Sequence, residues 1–426
     1  MYGDSSIVKK QHPRPTMSNP GAILDRYKEV CKAEGIPAHK YIIKVLGKAQ
    51  EDYISEPSDE MTLDLAGNNK LLTDTRLEDR DMVTLCQTLA NSTYVSSLDL
   101  RYNNITDEGA KHLGKLIETS VSLRFLNVMC NDIGPDGAEH IARGLHTNET
   151  LTELKVNGNK IGNKGGMMFA SALQINTGVE QLDLGDADLG TESVIALATI
   201  LHYNKFLKVL NVNRPLLFTH QEETTVHMAN MLKVNTTLRE IHLQKYDMRD
   251  FGTERLVETL RDNMALSYLD LSCNRITRDG AKHLSTLLKR NTPLQVLDLG
   301  FNRIEDDGAI YLSEALKHFN TNLHTLVLSH NCIRGNGLVA VADAMRTNST
   351  LYSVFIWGNE LEESACVAFN DLIESARLDT EQTDVQPYVV DGRVYLSELS
   401  HGIRRHYYWT PSYGPDVEKK KDDLLM

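Results

Sequence analysis

A short phrase of apolar residues returns along most of the chain. It reads apolar, two variable positions, Leu, one variable position, Leu, two variable positions, Asn, one variable position, and Leu or Ile. The phrase is complete at 95–105, 151–161 and 266–276. Because side chains along a strand alternate between its two faces, Leu-x-Leu predicts a short strand with both leucines on one face.

An amphipathic stretch follows each strand phrase. After the phrase at 95–105, Leu113, Leu116 and Ile117 are spaced as one face of a helix. A single strand and helix cannot bury both of their apolar faces, whereas stacked units can. We therefore predict an α/β fold, a curved solenoid or horseshoe. Parallel strands form its concave face and helices its convex face.

The asparagine of the phrase sets the period. Its positions lie 28 residues apart, except for one step of 31 and one of 29. We predict that each of these side chains turns inward and bonds backbone groups at the bend after its strand, so that losing one costs roughly 1–3 kcal/mol. This asparagine ladder comprises Asn103, Asn131, Asn159, Asn274, Asn302, Asn331 and Asn359.

Other small and polar residues recur with the same period. Helices begin with Asp-x-Gly-Ala, as at Gly109-Ala110, and the small residues predict close approach of neighbouring helices. A second asparagine precedes each following strand phrase by three residues, and it predicts a left-handed residue that closes the helix. These positions are Asn148, Asn176, Asn204, Asn235, Asn263, Asn291, Asn320 and Asn348.

Three consecutive repeats depart from the ladder. Ala187, Pro215 and Tyr246 occupy its positions, and one of these repeats gains three residues through the connection 218–225. Drift in a tolerant solenoid is one interpretation. A softer joint or a specific contact loop is the other, and hydrogen exchange distinguishes them.

The two ends lie outside the period. We predict a disordered N-terminus at 1–18, a helical cap at 19–58, about eleven repeats at 59–378 and a C-terminal extension at 379–426. Asn19 and Pro20 suit the first turn of a helix, and Asp391-Gly392 suits a hairpin turn. The aromatic segment 406–413 includes Trp409 and either folds back on the last repeats or is held by a partner.

The 28-residue period and the Asp-x-Gly-Ala helix starts resemble the ribonuclease-inhibitor type of leucine-rich repeat, over about 61–378. With both ends included, the chain looks like one vertebrate branch of this family. That resemblance implies a non-enzymatic protein of nucleus, nucleolus and cytoplasm. It further implies a role in stem-cell and developmental regulation, with nucleophosmin- or nucleolin-like partners. Related repeat proteins build motile-cilium scaffolds, so axonemal partners and a ciliary location are the alternative.

Composition narrows the kind of partner. Lys and Arg number 45 against 58 Asp and Glu, a net charge of −13, which argues against direct nucleic-acid binding. The six cysteines include no Cys-x-x-Cys pair, and no phosphate-binding loop, metalloprotease or nucleophile-elbow motif occurs. We expect an intracellular protein without catalytic activity, cofactor, metal or membrane contact.

The candidate binding surface follows from the strand geometry. Residues flanking the leucines should face the concave side, which makes that side largely acidic or polar. At its C-terminal end we expect exposed Phe355, Trp357 and Val327, which either anchor a partner or lie under the chain's own C-terminal tail. His242 is expected to be a lone surface residue. The candidate protein-binding residues are Phe355, Trp357, Tyr268, Asp270, Asp298, Glu240, Asp183 and Trp409.

Three functions are compatible with these features. The first is a scaffold that holds other proteins. The second is a GTPase activator like the Ran activator, which shares this repeat type but carries a long acidic tail where this chain has Lys419 to Lys421. The third is inhibition of a basic ribonuclease, disfavoured because that inhibitor is rich in cysteine.

Overall fold

A computed structural model describes residues 19–73, 75–90, 92–217 and 222–399. The predicted disorder at 1–18 and the binding role of Trp409 lie outside the described residues. The strands are β1 (Met61–Asp64), β2 (Val95–Asp99), β3 (Phe125–Asn127), β4 (Glu153–Lys155), β5 (Gln181–Asp183), β6 (Val209–Asn211), β7 (Glu240–His242), β8 (Tyr268–Asp270), β9 (Val296–Asp298), β10 (Thr325–Val327), β11 (Ser353–Phe355), β12 (Val385–Val390) and β13 (Arg393–Glu398). The helices are α1 (Pro20–Glu34), α2 (Lys40–Ser55), α3 (Asp79–Leu89), α4 (Asp107–Thr119), α5 (Pro135–Leu145), α6 (Gly162–Leu173), α7 (Thr191–Leu201), α8 (Glu223–Val234), α9 (Asp250–Leu260), α10 (Arg278–Lys289), α11 (Glu305–His318), α12 (Gly335–Thr347) and α13 (Glu363–Glu374).

One parallel sheet runs through the repeats. Strands β1 to β11 pair in chain order, each beside the next. The register aligns equivalent leucines, as in Leu98 with Leu126 and Leu126 with Leu154. These side chains are fully buried in one core that also takes in the apolar faces of the helices. The predicted leucine-rich-repeat solenoid is confirmed.

Two helices cover the first strand of the sheet. Asn19 accepts a hydrogen bond from Ala22 N at 2.9 Å, and Gly35 ends α1 in the left-handed conformation that glycine adopts readily. From α2, the Tyr41 hydroxyl donates to Ala66 O at 2.8 Å. The predicted cap is thus helical, with a helix that begins at Pro20, and both of its helices pack their apolar sides on the first repeat.

The ladder asparagines join each repeat to its neighbours. Asn131 donates from Nδ2 to Leu100 O and Val128 O, both at 3.0 Å, and its Oδ1 accepts from Ile105 N at 3.1 Å. One amide therefore satisfies backbone groups of two adjacent repeats. This is the inward orientation predicted for the ladder.

The second asparagine of each repeat forms another ladder, at the helix ends. Asn176 donates to Leu145 O at 2.7 Å and Asn148 O at 2.8 Å, while its Oδ1 accepts from Gly178 N and Val179 N. The predicted left-handed backbone is wrong for seven of the eight positions. Asn291 alone among them has positive φ. Asparagine suits these positions because its side-chain amide can donate to one repeat and accept from the next, as that of Asn176 does.

A contact between repeats also explains the Asp-x-Gly-Ala motif. Asp107 Oδ1 accepts from Gly134 N at 2.7 Å and Gly137 N at 2.8 Å, at the start of the next helix. A Cβ atom at Gly137 would lie 2.5 Å from that oxygen. Glycine is therefore required because the carboxylate of the preceding repeat occupies the space. The same arrangement joins Asp79 to Gly109, Asp250 to Gly280 and Asp306 to Gly337.

The middle repeats keep the strands but lack ladder amides. Ala187 and Pro215 carry no polar side chain, and the buried Tyr246 hydroxyl has no hydrogen-bond partner among the described residues. Part of the predicted odd connection, 218–221, lies outside the described residues. After α13 the chain leaves the repeat and makes the antiparallel pair β12–β13, with the turn at Asp391 and Gly392 that the sequence predicts.

Candidate protein-interaction surface

The middle residue between each pair of strand leucines forms a column across the sheet. Parallel register places Asp99 beside Asn127, Asn127 beside Lys155, and Lys155 beside Asp183. At one end of the column, Asp99 lies 3.4 Å from Arg101 Nε and accepts from Asn127 Nδ2 at 3.3 Å. The column therefore contains cross-strand polar contacts as well as charge.

Lys155 is the cation in the first half of the column. Its ammonium lies 3.1 Å from Glu153 Oε1 and 5.3 Å from the centre of the Phe125 ring. Burial lowers the pKa of Lys155, while the charge of Glu153 opposes that change. Burial also raises the pKa of Asp183 to about 7 and that of Asp99 to about 6. This half of the column is thus close to charge balance.

His242 is the cation in the second half. Its Nε2 lies 2.6 Å from Glu240 Oε1, its Nδ1 lies 3.2 Å from Asp270 Oδ2, and its ring is 4.9 Å from that of Tyr268. Burial lowers the pKa of His242, but hydrogen bonds to Asp270 and Glu240 outweigh burial and raise the pKa to about 10. The prediction of a lone surface histidine is therefore wrong, because register brings a carboxylate to each ring nitrogen.

The charge of the last carboxylate of the column, Asp298, is not balanced in this way. Asp298 lies beside Asp270 in register and accepts from Gly300 N at 2.8 Å. Burial and the neighbouring Asp270 carboxylate hold the pKa of Asp298 well above its usual value. The sequence-predicted residues Asp183, Glu240, Tyr268, Asp270 and Asp298 thus lie on one face. The structure brings Glu240, Tyr268, Asp270 and Asp298 together, whereas Asp183 belongs to the first half.

The C-terminal end of the column differs from the prediction. Phe355 is 4% exposed and Val327 is also buried, so their expected exposure is wrong; Trp357 is half-buried. The reason is a return of the chain after the last repeat. Asp384 Oδ1 accepts from Ile356 N at 2.7 Å, and its Oδ2 accepts from Trp357 N at 3.1 Å and Ser329 Oγ at 2.7 Å. The contacts support the other alternative, in which the chain's own C-terminal extension lies over this end.

Sequence reasoning missed a second column, at the outer rim of the same face. The residue before each ladder position is left-handed in every repeat from Tyr102 to Gly358. In this column Phe301 is 52% exposed and stacks on His330, with ring centres 4.3 Å apart and planes at 14°. This column could have been found from the sequence, because its residues recur with the period of the ladder, one position before each ladder residue.

Within the ranges described above, no group of three or more His, Cys, Asp or Glu side chains is arranged to hold a metal ion. None of the helices described combines the length and apolar character that crossing a bilayer requires.

Stacked strand–helix units, joined by two asparagine ladders, define the protein as a leucine-rich repeat solenoid. A family model described as "Leucine Rich repeat" matches 91–114, 119–142, 147–170, 262–285, 290–313 and 319–342. The chain is 56% identical to rat "Leucine-rich repeat-containing protein 34" over 92% of this chain and 94% of that protein. It is 55% identical to the human protein of that name over 98% of this chain and 88% of that one, and 51% to the mouse protein over 91% and 94%. The chain therefore belongs to the leucine-rich repeat family, together with these relatives.

Two solved structures are similar to this chain at low sequence identity. An internalin from Listeria monocytogenes is 15% identical with a TM-score of 0.43, over 87% of this chain and 95% of its own. The "Leiomodin-1 Actin-Binding Site 2" is 22% identical with a TM-score of 0.31, over 36% of this chain and 87% of its own. Likeness at this level says nothing about partners.

Proposed function

We propose that this protein is a non-enzymatic scaffold that binds other proteins on the concave face and its rim. The observation that carries the proposal is the uninterrupted sheet β1–β11, which holds a polar column in register along one face. Leucine-rich repeat solenoids present extended concave surfaces of this kind to partners. The ion pairs of Lys155 and His242 keep most of the column in place without a partner.

Site-specific photo-crosslinking tests the proposed orientation of binding. A photoreactive amino acid is placed at the exposed rim positions Arg214 and Lys245, and at the exposed helix positions Lys115 and Lys282 as controls. We expect discrete crosslinked proteins from the rim positions in native cells and few from the helix positions. Stronger crosslinking from the helical side would contradict binding on the concave face.

A second set of predictions concerns the partners, the cellular compartment and the biological role. We propose nucleolar partners and a role in developmental regulation, because the whole-chain resemblance implies them, with an axonemal role as the alternative. Proximity labelling in native cells separates the two by the compartment of the labelled proteins. A Ran-type activator gains no support from the described residues, and an assay of GTP hydrolysis by Ran with and without the protein decides it.

A further inference from the structure

A recess lies at the C-terminal ends of β8, β9 and β10. Two residues beyond the central column, these strands carry Ser272, Gly300 and Ser329, whereas the flanking strands β7 and β11 carry Gln244 and Trp357. The space that a side chain at Gly300 would fill is bordered by Asp298 Oδ1 at 3.2 Å and Val327 Cγ1 at 3.5 Å. Gln244 donates to Ser272 Oγ at 2.8 Å, and Ser329 Oγ donates to Asp384 at 2.7 Å. The Asp298 carboxylate therefore lies beside an open space at Gly300, with Gln244 on one side and Asp384 on the other.

The floor of this recess has more carboxylates than cations. Glu240, Asp270 and Asp298 lie on consecutive strands, and His242 is engaged by the first two. Asp298 uses Oδ1 to accept from Gly300 N, and its Oδ2 has no hydrogen-bond partner among the described residues although the residue is only 7% exposed. A buried carboxylate beside a second one is unfavourable unless a cation joins it.

The rim of the recess is a flat aromatic pair. Phe301 and His330 are held in left-handed backbone and stack with their planes at 14°. A Cβ atom at Gly358 would lie 2.2 Å from the His330 ring, so glycine at that position makes room for the stack. An exposed aromatic plane beside an unpaired carboxylate suits a flat cation, which can stack and donate hydrogen bonds together.

We propose that this recess binds an arginine side chain presented by an extended segment of a partner protein. The guanidinium donates to Asp298 Oδ2 while its flat side lies against Phe301. Lysine fits less well, because its ammonium neither stacks nor donates in a planar fork. The assignment rests on the proposed scaffold function and adds the chemistry of the partner. The protein's net charge of −13 favours approach of a basic segment.

Peptide binding to the full-length protein tests this assignment. The probe is a fluorescent peptide of alternating arginine and glycine, compared with lysine–glycine and glutamate–glycine peptides by anisotropy at physiological ionic strength. We expect the arginine peptide to bind at least about fivefold more tightly than the lysine peptide. We expect Asp298→Asn to weaken it about tenfold and Phe301→Ser about fivefold. The matched controls Asp279→Asn and Phe319→Ser, an exposed carboxylate on helix α10 and an equally exposed aromatic elsewhere, should leave binding unchanged.

Three results would overturn the assignment. The first is equal affinity for arginine and lysine peptides, with no effect of Phe301→Ser; this surface variant keeps the test valid if Asp298→Asn fails to fold. The second is arginine binding that the controls weaken as much as the recess variants do. The third is binding of the arginine peptide that appears only when Arg404 and Arg405 are both changed to Glu. That result would mean that these arginines of the chain's own C-terminal segment compete with the peptide for the recess. In each case, rim crosslinks to partners would still support the scaffold function.

Discussion

The outer repeats and the middle repeats share one sheet but differ in how their turns are held. In the outer repeats a ladder amide bonds backbone groups of two adjacent units, as Asn131 does. In the middle repeats Ala187, Pro215 and Tyr246 stand at these positions. The family model matches segments on both sides of 171–261 and none within it. The middle repeats therefore keep the solenoid without the turn amides, through apolar stacking, strand pairing and the second asparagine ladder, whereas the turn amides add stability locally.

Removing one outer ladder amide should have the largest effect. Asn131→Ala strands the Ile105 N–H and removes the side-chain donor to Leu100 O and Val128 O, so we expect a loss of about 3 kcal/mol in the free energy of unfolding. Chemical denaturation measures it. Half-buried Asn322→Ala, which loses two bonds to backbone carbonyls at a partly exposed loop, serves as the control and should cost under about 1 kcal/mol. Equal losses in the two variants would show that the ladder has no special role.

Backbone hydrogen exchange compares the two regions directly. We expect amides of the turns in 185–217 to exchange roughly tenfold faster than those in 95–160, because no ladder amide holds these turns. The turn at 240–250 should stay protected, since Asn274 Oδ1 accepts from Tyr246 N and Met248 N. Mass spectrometry of the intact protein under native conditions gives both rates in one experiment. Equal protection of the two regions would remove the interpretation of the middle repeats as a softer joint.

The carboxylates at the helix starts should cost less when removed. Asp107→Ala deletes the acceptor of two backbone N–H groups at the next helix, and we expect a loss of about 2 kcal/mol. In the middle region Asn163 accepts from Ser193 N at 2.8 Å, so Asn163→Ala should cost about 1 kcal/mol, because a neutral acceptor forms the weaker bond. Thermal unfolding of both variants shows which of the two loses more stability. A larger loss for Asn163→Ala than for Asp107→Ala would contradict the prediction.

The repeat was predictable from the sequence because its signals are local and periodic. Leu98, Leu100 and Asn103 specify strand, core and turn within six residues, and each recurs after 28. The burial of Phe355 was only one of two alternatives at the sequence level, because the segment that returns to this end of the sheet, which includes Asp384, lies outside the period. The partners of His242 follow from aligning residues one repeat apart. The sequence alone permits that alignment. Only the observed strand pairing shows that the aligned side chains are neighbours.

The charged column should give a pH dependence that differs between its halves. The pKa of His242 is raised from 6.5 to about 10, so the folded state binds this proton more tightly. Its contribution to stability is complete below pH 6.5 and is lost as pH rises toward 10. The pKa of Asp183 is raised from 3.8 to about 7, so ionisation of Asp183 destabilises the fold as pH rises from 4 to 7. Denaturation across pH 4–10 should show Asp183→Asn reducing the loss below pH 7, to which Asp99 and Asp298 also contribute, and His242→Gln reducing the loss above it.

The smallest effect should come from the ladder position that holds a tyrosine. The Tyr246 hydroxyl is buried and has no hydrogen-bond partner among the described residues, so it carries a desolvation cost without a compensating bond. Tyr246→Phe keeps the ring in the core and removes that cost, and we expect a gain of up to about 1 kcal/mol. A loss of stability in this variant would mean that the hydroxyl bonds a group comparable to those held by Asn131. The middle repeats would then have a polar ladder position after all, and the contrast between the two regions would reduce to Ala187 and Pro215.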